Sequence, residues 1–185
     1  MKRPLRYIYA MIKKARTRLR YKYDTSGHWV QLMKSNTTPV FTMMELYKCS
    51  GDNRWRDTVQ RWIQAASDVL VHSGHVHETY HPPSQLGPTS LVSGFIMMDV
   101  LCDAWWSVER DPSYLKLAQD IAESCLAWRW ETGVIPMTPT AERDHLDGQV
   151  DFSISLRRIS QLANRDDLLK ASTSLMERAL DVHRT

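Results

Sequence analysis

Three segments of this chain repeat one another without gaps, and this repeat limits the possible folds more than any other feature. The segments are GDNRWRDTVQRWIQAASDVL, RDPSYLKLAQDIAESCLAWR and NRDDLLKASTSLMERALDVH, which begin at residues 51, 110 and 164. Apolar residues recur at equivalent places in each copy, as at Trp62, Ile121 and Leu175. Their spacing predicts amphipathic helices, and its recurrence predicts stacked helical units that share one core.

Glycine and proline separate the helical patterns at regular places along the chain. We therefore expect one all-α domain over residues 1–185 with about seven helices. The predicted helices are 3–22, 37–49, 53–72, 89–108, 112–130, 148–162 and 166–183. They group into hairpin units 3–49, 53–108 and 112–162, followed by the final helix 166–183. A long loop after each repeated helix places these loops at one end of the array, where they form a rim.

The repeat units resemble a known superfamily. Hairpins that start like RDPSYLKLA and carry a loop such as Gly133 to Pro136 resemble the (α/α) toroid of six-hairpin glycosidases, which includes unsaturated glucuronyl hydrolases and sugar epimerases. The segment DHLDGQVDFSISLRRISQLANRDDLLKAS, which begins at Asp144, resembles the aspartate-rich loop, inner helix and outer helix of that superfamily. The resemblance implies a partial toroid that binds or acts on a glycan, because a full toroid needs more helices than this chain supplies. Three arrangements would account for the missing helices: a homodimer that completes a ring, an open half-barrel, or a fragment of a longer chain.

Two aspartates interrupt the apolar helix SLVSGFIMMDVLCDAWWSV. Asp99 and Asp103 are four residues apart and therefore share one face of the helix. Two carboxylates side by side in apolar surroundings raise the pKa of at least one, which suits a general acid and an anionic partner. The alternative is that each acid caps a loop or pairs with Arg157 or Arg158.

Asp147 and Asp151 repeat the same spacing at the start of the next inner helix. Asp147 is placed as a helix cap or a first-turn acid, and that position alone accounts for it. Asp151 falls where the earlier copies have Met97 and Thr38, so the repeat does not account for a carboxylate there. We predict that Asp151, Asp147, Asp99 and Asp103 are the catalytic acids.

The rim loops contain the candidate sugar-binding residues. They are His75, His77, Glu78, Tyr80, His145 and Trp130. A zinc site built on the histidines is the alternative, but no H-E-x-x-H motif is present and we expect no metal. We expect no cofactor either, because the sequence has no phosphate-binding loop and no dinucleotide fingerprint.

The first predicted helix is strongly basic. The segment MKRPLRYIYAMIKKARTRLRYK has nine Lys/Arg and no acid, whereas the rest of the chain has 15 basic and 21 acidic residues. Such a helix suits binding to nucleic acid or to an anionic membrane, but its apolar stripe at Ile8, Ile12 and Leu19 favours packing against the other helices instead.

Charged residues at the N-terminus argue against a signal peptide, and three scattered cysteines suit a reducing compartment. We expect a cytoplasmic protein.

Two classes of function remain open at this stage. The first is a carbohydrate-active protein for uronate-containing glycan, either a glycoside hydrolase or a uronate epimerase-like or lyase-like enzyme. Its acids would protonate or deprotonate the sugar from the inner helices and rim loops. The second is a non-catalytic helical-repeat scaffold that binds another protein.

Overall fold

A computed structural model describes residues 32–78, 80–81 and 85–182. Within these ranges the chain forms six α-helices joined by alternating short turns and long loops. The helices are α1 (Leu32–Ser50), α2 (Asn53–Leu70), α3 (Leu91–Ser107), α4 (Pro112–Leu126), α5 (Leu146–Ala163) and α6 (Asp166–Val182). They correspond to the last six predicted helices, while the predicted basic helix 3–22 lies outside the described residues.

The six helices form two layers. In the inner layer α1 packs against α3 and α3 packs against α5, while α2, α4 and α6 each pack on the preceding inner helix. This arrangement confirms the predicted all-α fold of helical hairpins in a partial toroid. Among the described residues, no helix is long and apolar enough to span a bilayer.

The aligned positions of the repeat lie in the core between the layers. Trp62, Ile121 and Leu175 occupy equivalent positions on the three outer helices, and all three are buried. Close packing depends on small residues as well: a Cβ at Gly94 of α3 would lie 2.8 Å from Sγ of Cys125 on α4. The apolar residues that recur along the outer helices therefore form the face that packs on the inner layer.

Polar residues cap the helices at the short turns. The side chains of Asp52 and Asp111 cap α2 and α4 by accepting hydrogen bonds from the backbone N–H groups of Arg54 and Ser113. The third copy differs, because Asn164 adopts the left-handed conformation (φ 54°) at the C-terminal cap of α5. Asparagine tolerates this conformation better than most residues.

The rim loop between α2 and α3 has two short antiparallel hairpins. One pairs β1 (Val71–His72) with β2 (His75–Val76), and the other pairs β3 (Tyr80–His81) with β4 (Gln85–Leu86). A bridge between His77 and Thr89 ties the loop back to the start of α3. Within the described ranges, strand structure is therefore confined to this rim loop.

Candidate functional site

The inner face of α3 carries two half-buried carboxylates. Nearly every other residue in the middle of this helix is buried, whereas the side chains of Asp99 and Asp103 retain 33% and 29% of their exposure. Their i, i+4 spacing puts both on one helical face, as predicted. This face is the polar strip of an otherwise apolar helix.

Helix α5 supplies the partners of both carboxylates. The Ser155 hydroxyl donates a hydrogen bond to Oδ1 of Asp99 at 3.0 Å. The guanidinium of Arg158 donates to Asp103 and lies 3.8 Å from Oδ1 of Asp99. Arg158 is therefore the arginine that pairs with both acids, as one of the two alternatives predicted. Arg157 instead lines a cleft between α5 and α6.

Asp99 has the environment of a proton donor or acceptor. Burial raises the pKa of Asp99 to about 6, although the Ser155 hydrogen bond and the charge of Arg158 act in the opposite direction. The negative charges of Asp103 and Asp151 raise the pKa of Asp99 further. Both the protonated and the ionised forms of this carboxyl are therefore populated around pH 6, which suits general acid–base chemistry.

Asp151 is exposed at the edge of the same cluster. It lies one turn before Ser155 on α5, and its backbone carbonyl is 3.1 Å from the Ser155 hydroxyl, whose single proton is shared between this carbonyl and Asp99. Its charge makes the smallest of the contributions that act on the pKa of Asp99. Arg158 therefore joins Asp99 to Asp103, while Ser155 relates Asp99 to the helical turn that carries Asp151.

Asp147 lies one turn before Asp151, in the exposed first turn of α5. Its carboxylate accepts a hydrogen bond from the backbone N–H of Gly148 at 2.9 Å. The N-cap residue is His145, which is exposed and whose side chain makes no capping hydrogen bond. Asp147 is therefore a first-turn acid, one of the two positions considered for it.

Gly148 and Gln149 fix the rim loop between α4 and α5, a function that the sequence did not reveal. The buried Gln149 amide accepts from the backbone N–H of Ile135 at 2.9 Å and donates to the carbonyl of the same residue. A Cβ at Gly148 would lie 2.7 Å from Sδ of Met137. The carbonyl of Met137 in turn accepts from the backbone N–H of Leu91, so this loop joins the starts of α3 and α5.

The histidines of the first rim loop take part in local packing. Nδ1 of His77 donates to the carbonyl of Gly87 at 2.7 Å. The His75 ring stacks on Trp128 with ring centroids 5.5 Å apart, and its buried Nδ1 has no hydrogen-bond partner among the described residues. Within the described ranges, these histidines make no recorded contact with Asp99, Asp103 or Asp151.

The remaining predicted rim residues occupy separate places. Glu78 is half-buried, and its backbone N–H donates to the carbonyl of Pro88. Tyr80 begins β3, and its side chain lies outside the described part. Trp130 is half-buried in the turn after α4, where its backbone N–H donates to the carbonyl of Val134.

Two surface clefts lie away from the carboxylates. One, of about 220 Å³, lies on the surface between α5 and α6, and its lining includes Ile154 and Met176. The other, of about 360 Å³, lies between Gly133 and the second half of α6, beside Arg129 and Arg178. No group of three or more His, Cys, Asp or Glu residues in the described ranges is placed to hold a metal ion.

Comparison with known proteins gives a match at the level of fold. Neither any family model nor any curated protein sequence matches the chain. A family 105 glycoside hydrolase from C. acetobutylicum superposes with a TM-score of 0.72 at 11% identity, covering 95% of this chain and 61% of the other. A substituted unsaturated glucuronyl hydrolase (UGL) with the oligosaccharide dGlcA-Glc-Rha-Glc gives 0.69 at 11% identity, covering 84% and 47%.

A third structure extends the comparison beyond glycoside hydrolases. A D-mannose isomerase superposes with a TM-score of 0.70 at 10% identity, covering 84% of this chain and 44% of the other. The chain thus has the fold of the six-hairpin glycosidase-like toroids, which confirms the predicted resemblance. It spans about half the length of the structures that it matches.

Proposed function

We propose that this chain binds or acts on a uronate-containing glycan at the carboxylate cluster formed by Asp99, Asp103 and Asp151. The observation that carries the proposal is the half-buried Asp99, which accepts a hydrogen bond from Ser155, one turn after the exposed Asp151 on α5, and whose pKa burial raises to about 6. The toroid fold adds support, because the matched structures include a glycoside hydrolase and a hydrolase with a bound oligosaccharide. The assignment of activity to this chain depends on the carboxylates themselves, since one fold serves many functions.

Glycosidic cleavage needs a proton donor and a carboxylate that acts on water or on the sugar. We assign the donor to Asp99, whose proton passes to the leaving-group oxygen as the bond from that oxygen to the anomeric carbon breaks. Asp151 accepts a proton from the water that bonds to this carbon. The same pair also suits a uronate epimerase or lyase, in which Asp151 removes the proton from C5 of the sugar. Asp99 then gives a proton to the opposite face of C5 in the epimerase, or protonates the leaving oxygen as its bond to C4 breaks in the lyase.

Asp103 and Arg158 support this pair from one side. Asp103 accepts a hydrogen bond from Arg158, and the same guanidinium approaches Asp99 to 3.8 Å. A charged group held in this way limits the movement of Asp99 and keeps a fixed field around it. We therefore assign Asp103 to positioning and to the electrostatics of the acid.

The rim residues are proposed to contact the sugar outside the reacting unit. His145 and Asp147 are exposed at the start of α5, four or more residues before Asp151, and are the nearest of these in sequence. His75, His77, Glu78, Tyr80 and Trp130 lie in the rim loops. Because His75 and His77 already make packing contacts, we expect their substitution to lower affinity partly through the loop conformation.

The test is turnover of uronate oligosaccharides by Asp99→Asn and Asp151→Asn variants. Loss of a general acid or base lowers the rate by about 10²–10⁴-fold, so each variant should lose at least 100-fold while its circular dichroism spectrum is unchanged. The matched control is Asp68→Asn, which removes an exposed carboxylate on the outer helix α2. Activity of Asp151→Asn equal to that of Asp68→Asn would refute the catalytic assignment. Binding of a protein partner with no glycan binding would favour the scaffold instead.

We also propose that two copies of the chain associate, which would supply a second set of hairpins. Support comes from exposed aliphatic residues on α5 and α6: Ile154 lines the 220 Å³ cleft and retains 55% of its exposure, and Leu180, one turn after the lining residue Met176, retains 40%. Apolar side chains grouped at a surface favour association. Light scattering should give twice the chain mass of 21.5 kDa, and a monomer at all concentrations would refute this assembly.

A cytoplasmic location is proposed as well. It is supported by Cys102 and Cys125, which are buried free thiols. Burial raises the pKa of each to about 12, which keeps both protonated and unreactive. Fluorescence microscopy of the tagged chain tests this location, and a signal confined to the cell envelope would contradict it.

A further inference from the structure

The inner face of α3 continues beyond the carboxylates to an exposed aromatic residue. Asp99, Asp103 and Trp106 follow one another at spacings of four and three residues, so they share one helical face. Trp106 retains 61% of its exposure. A rise of about 1.5 Å per residue places its Cα about 10 Å along the helix axis from that of Asp99. The indole therefore belongs to the same surface as the carboxylate cluster.

Arg110 lies against two indole rings just after the end of α3. Its guanidinium carbon is 4.0 Å from the ring centroid of Trp105 and 4.3 Å from that of Trp106. The two rings are 6.3 Å apart and tilted by 37° to each other, so the guanidinium lies in the angle between them. Cation–π contacts use the face of a guanidinium and leave its N–H groups available.

No carboxylate neutralises this guanidinium in the described part of the chain. The ion pairs in this part of the chain are formed by other lysine and arginine side chains, and Arg110 is exposed. The adjacent acid, Glu109, accepts a hydrogen bond from Gln60 of α2 instead. A guanidinium that is oriented by two rings and has free N–H groups is suited to bind a planar carboxylate in a bidentate manner.

We propose that Trp106 and Arg110 form a subsite for a carboxylate-bearing sugar residue adjacent to the reacting unit. The exposed indole packs against the C–H face of the sugar, and Arg110 binds its carboxylate. This inference rests on the proposed function and deepens it, because it assigns recognition of the acidic sugar to two named residues. It also separates recognition of charge from the chemistry at Asp99 and Asp151.

The test is calorimetric titration of the full chain, in an Asp151→Asn background that stops turnover. The ligands are a panel of uronate oligosaccharides and their carboxyl-reduced counterparts, which carry a neutral hydroxymethyl group in place of each carboxylate. Arg110→Gln should weaken binding of the uronate forms by about tenfold or more, the range expected for hydrogen bonds to a charged group, and leave the reduced forms unchanged. Trp106→Leu should weaken both. Arg61→Gln, which removes an exposed positive charge from outer helix α2, serves as the control.

Each outcome decides the proposal. Selective loss of uronate binding in Arg110→Gln, with Arg61→Gln equal to the parent, supports the subsite. An equal loss in both arginine variants would show a general charge effect and overturn it. Unchanged binding in Arg110→Gln and Trp106→Leu would overturn the subsite while the proposed function stands. If the parent binds no member of the panel, both proposals fall.

Discussion

The hydroxyl of Ser155 on α5 donates a hydrogen bond to Oδ1 of Asp99 on α3 at 3.0 Å. This contact joins two inner helices at the residue whose pKa burial raises to about 6. The hydrogen bond stabilises the ionised carboxylate and so opposes the effect of burial.

Replacing Ser155 with alanine should raise the pKa of Asp99 further above about 6, because the ionised form loses its hydrogen-bond donor. Titration of the Asp99 side-chain carbon by ¹³C NMR measures this shift without any need for turnover. Ser160→Ala is the control, since that buried hydroxyl on α5 donates to the carbonyl of Arg157 on its own helix. A pKa of Asp99 that is unchanged or lower in Ser155→Ala would contradict the interpretation.

Asp99→Asn should make the protein more stable above pH 6. The folded-state pKa of Asp99, about 6, exceeds the ordinary aspartate value of 3.8. The stability that the protonated carboxyl contributes is therefore fully present below about pH 4 and is lost as the pH rises through 6. The amide carries no charge and avoids that loss, which is about 1–2 kcal/mol once the exposed third of the side chain is allowed for. Urea unfolding at pH 4 and pH 8 measures the difference. A variant less stable than wild type at pH 8 would contradict this account.

Arg158→Met should destabilise the fold. The substitution leaves Asp103 and Asp99 half-buried without their shared cation. The loss should be about 1–2 kcal/mol, between the values for exposed and fully buried ion pairs. Urea unfolding tests it, with the neighbouring exposed Arg157→Met as the matched control. Equal stabilities of the two variants would show that the ion pairs contribute nothing measurable.

Gln149→Leu should lower stability by about 2–4 kcal/mol, because it leaves a buried N–H and a buried carbonyl of Ile135 without partners. Hydrogen exchange at the amide of Ile135 should also become faster, since the rim loop loses its attachment to α5. Gln161→Leu changes an exposed glutamine on the same helix and should have little effect. Unchanged protection of Ile135 would rule out this role for Gln149.

The sequence predicted the helices because their apolar period and their punctuation are local signals. It also predicted that Asp99 and Asp103 share a face, since helical spacing alone determines that relationship. The contacts of Ser155 and Gln149 could not be predicted, because they depend on how α5 lies against α3 and against the loop at Ile135. Arg158 was recognised only as one of two possible partners, and the packing of α5 decides between them. The exposure of Asp151 is likewise a tertiary property.

The most direct test of the central proposal is to map glycan binding on the protein. Titration of isotopically labelled protein with a panel of uronate oligosaccharides, followed by NMR, should shift amide signals on the inner faces of α3 and α5, around Asp99, Asp103 and Asp151. Asp68 on the outer helix α2 should remain unaffected. Shifts confined to the outer helices, or the absence of any shift across the panel, would contradict a glycan site at the carboxylate cluster.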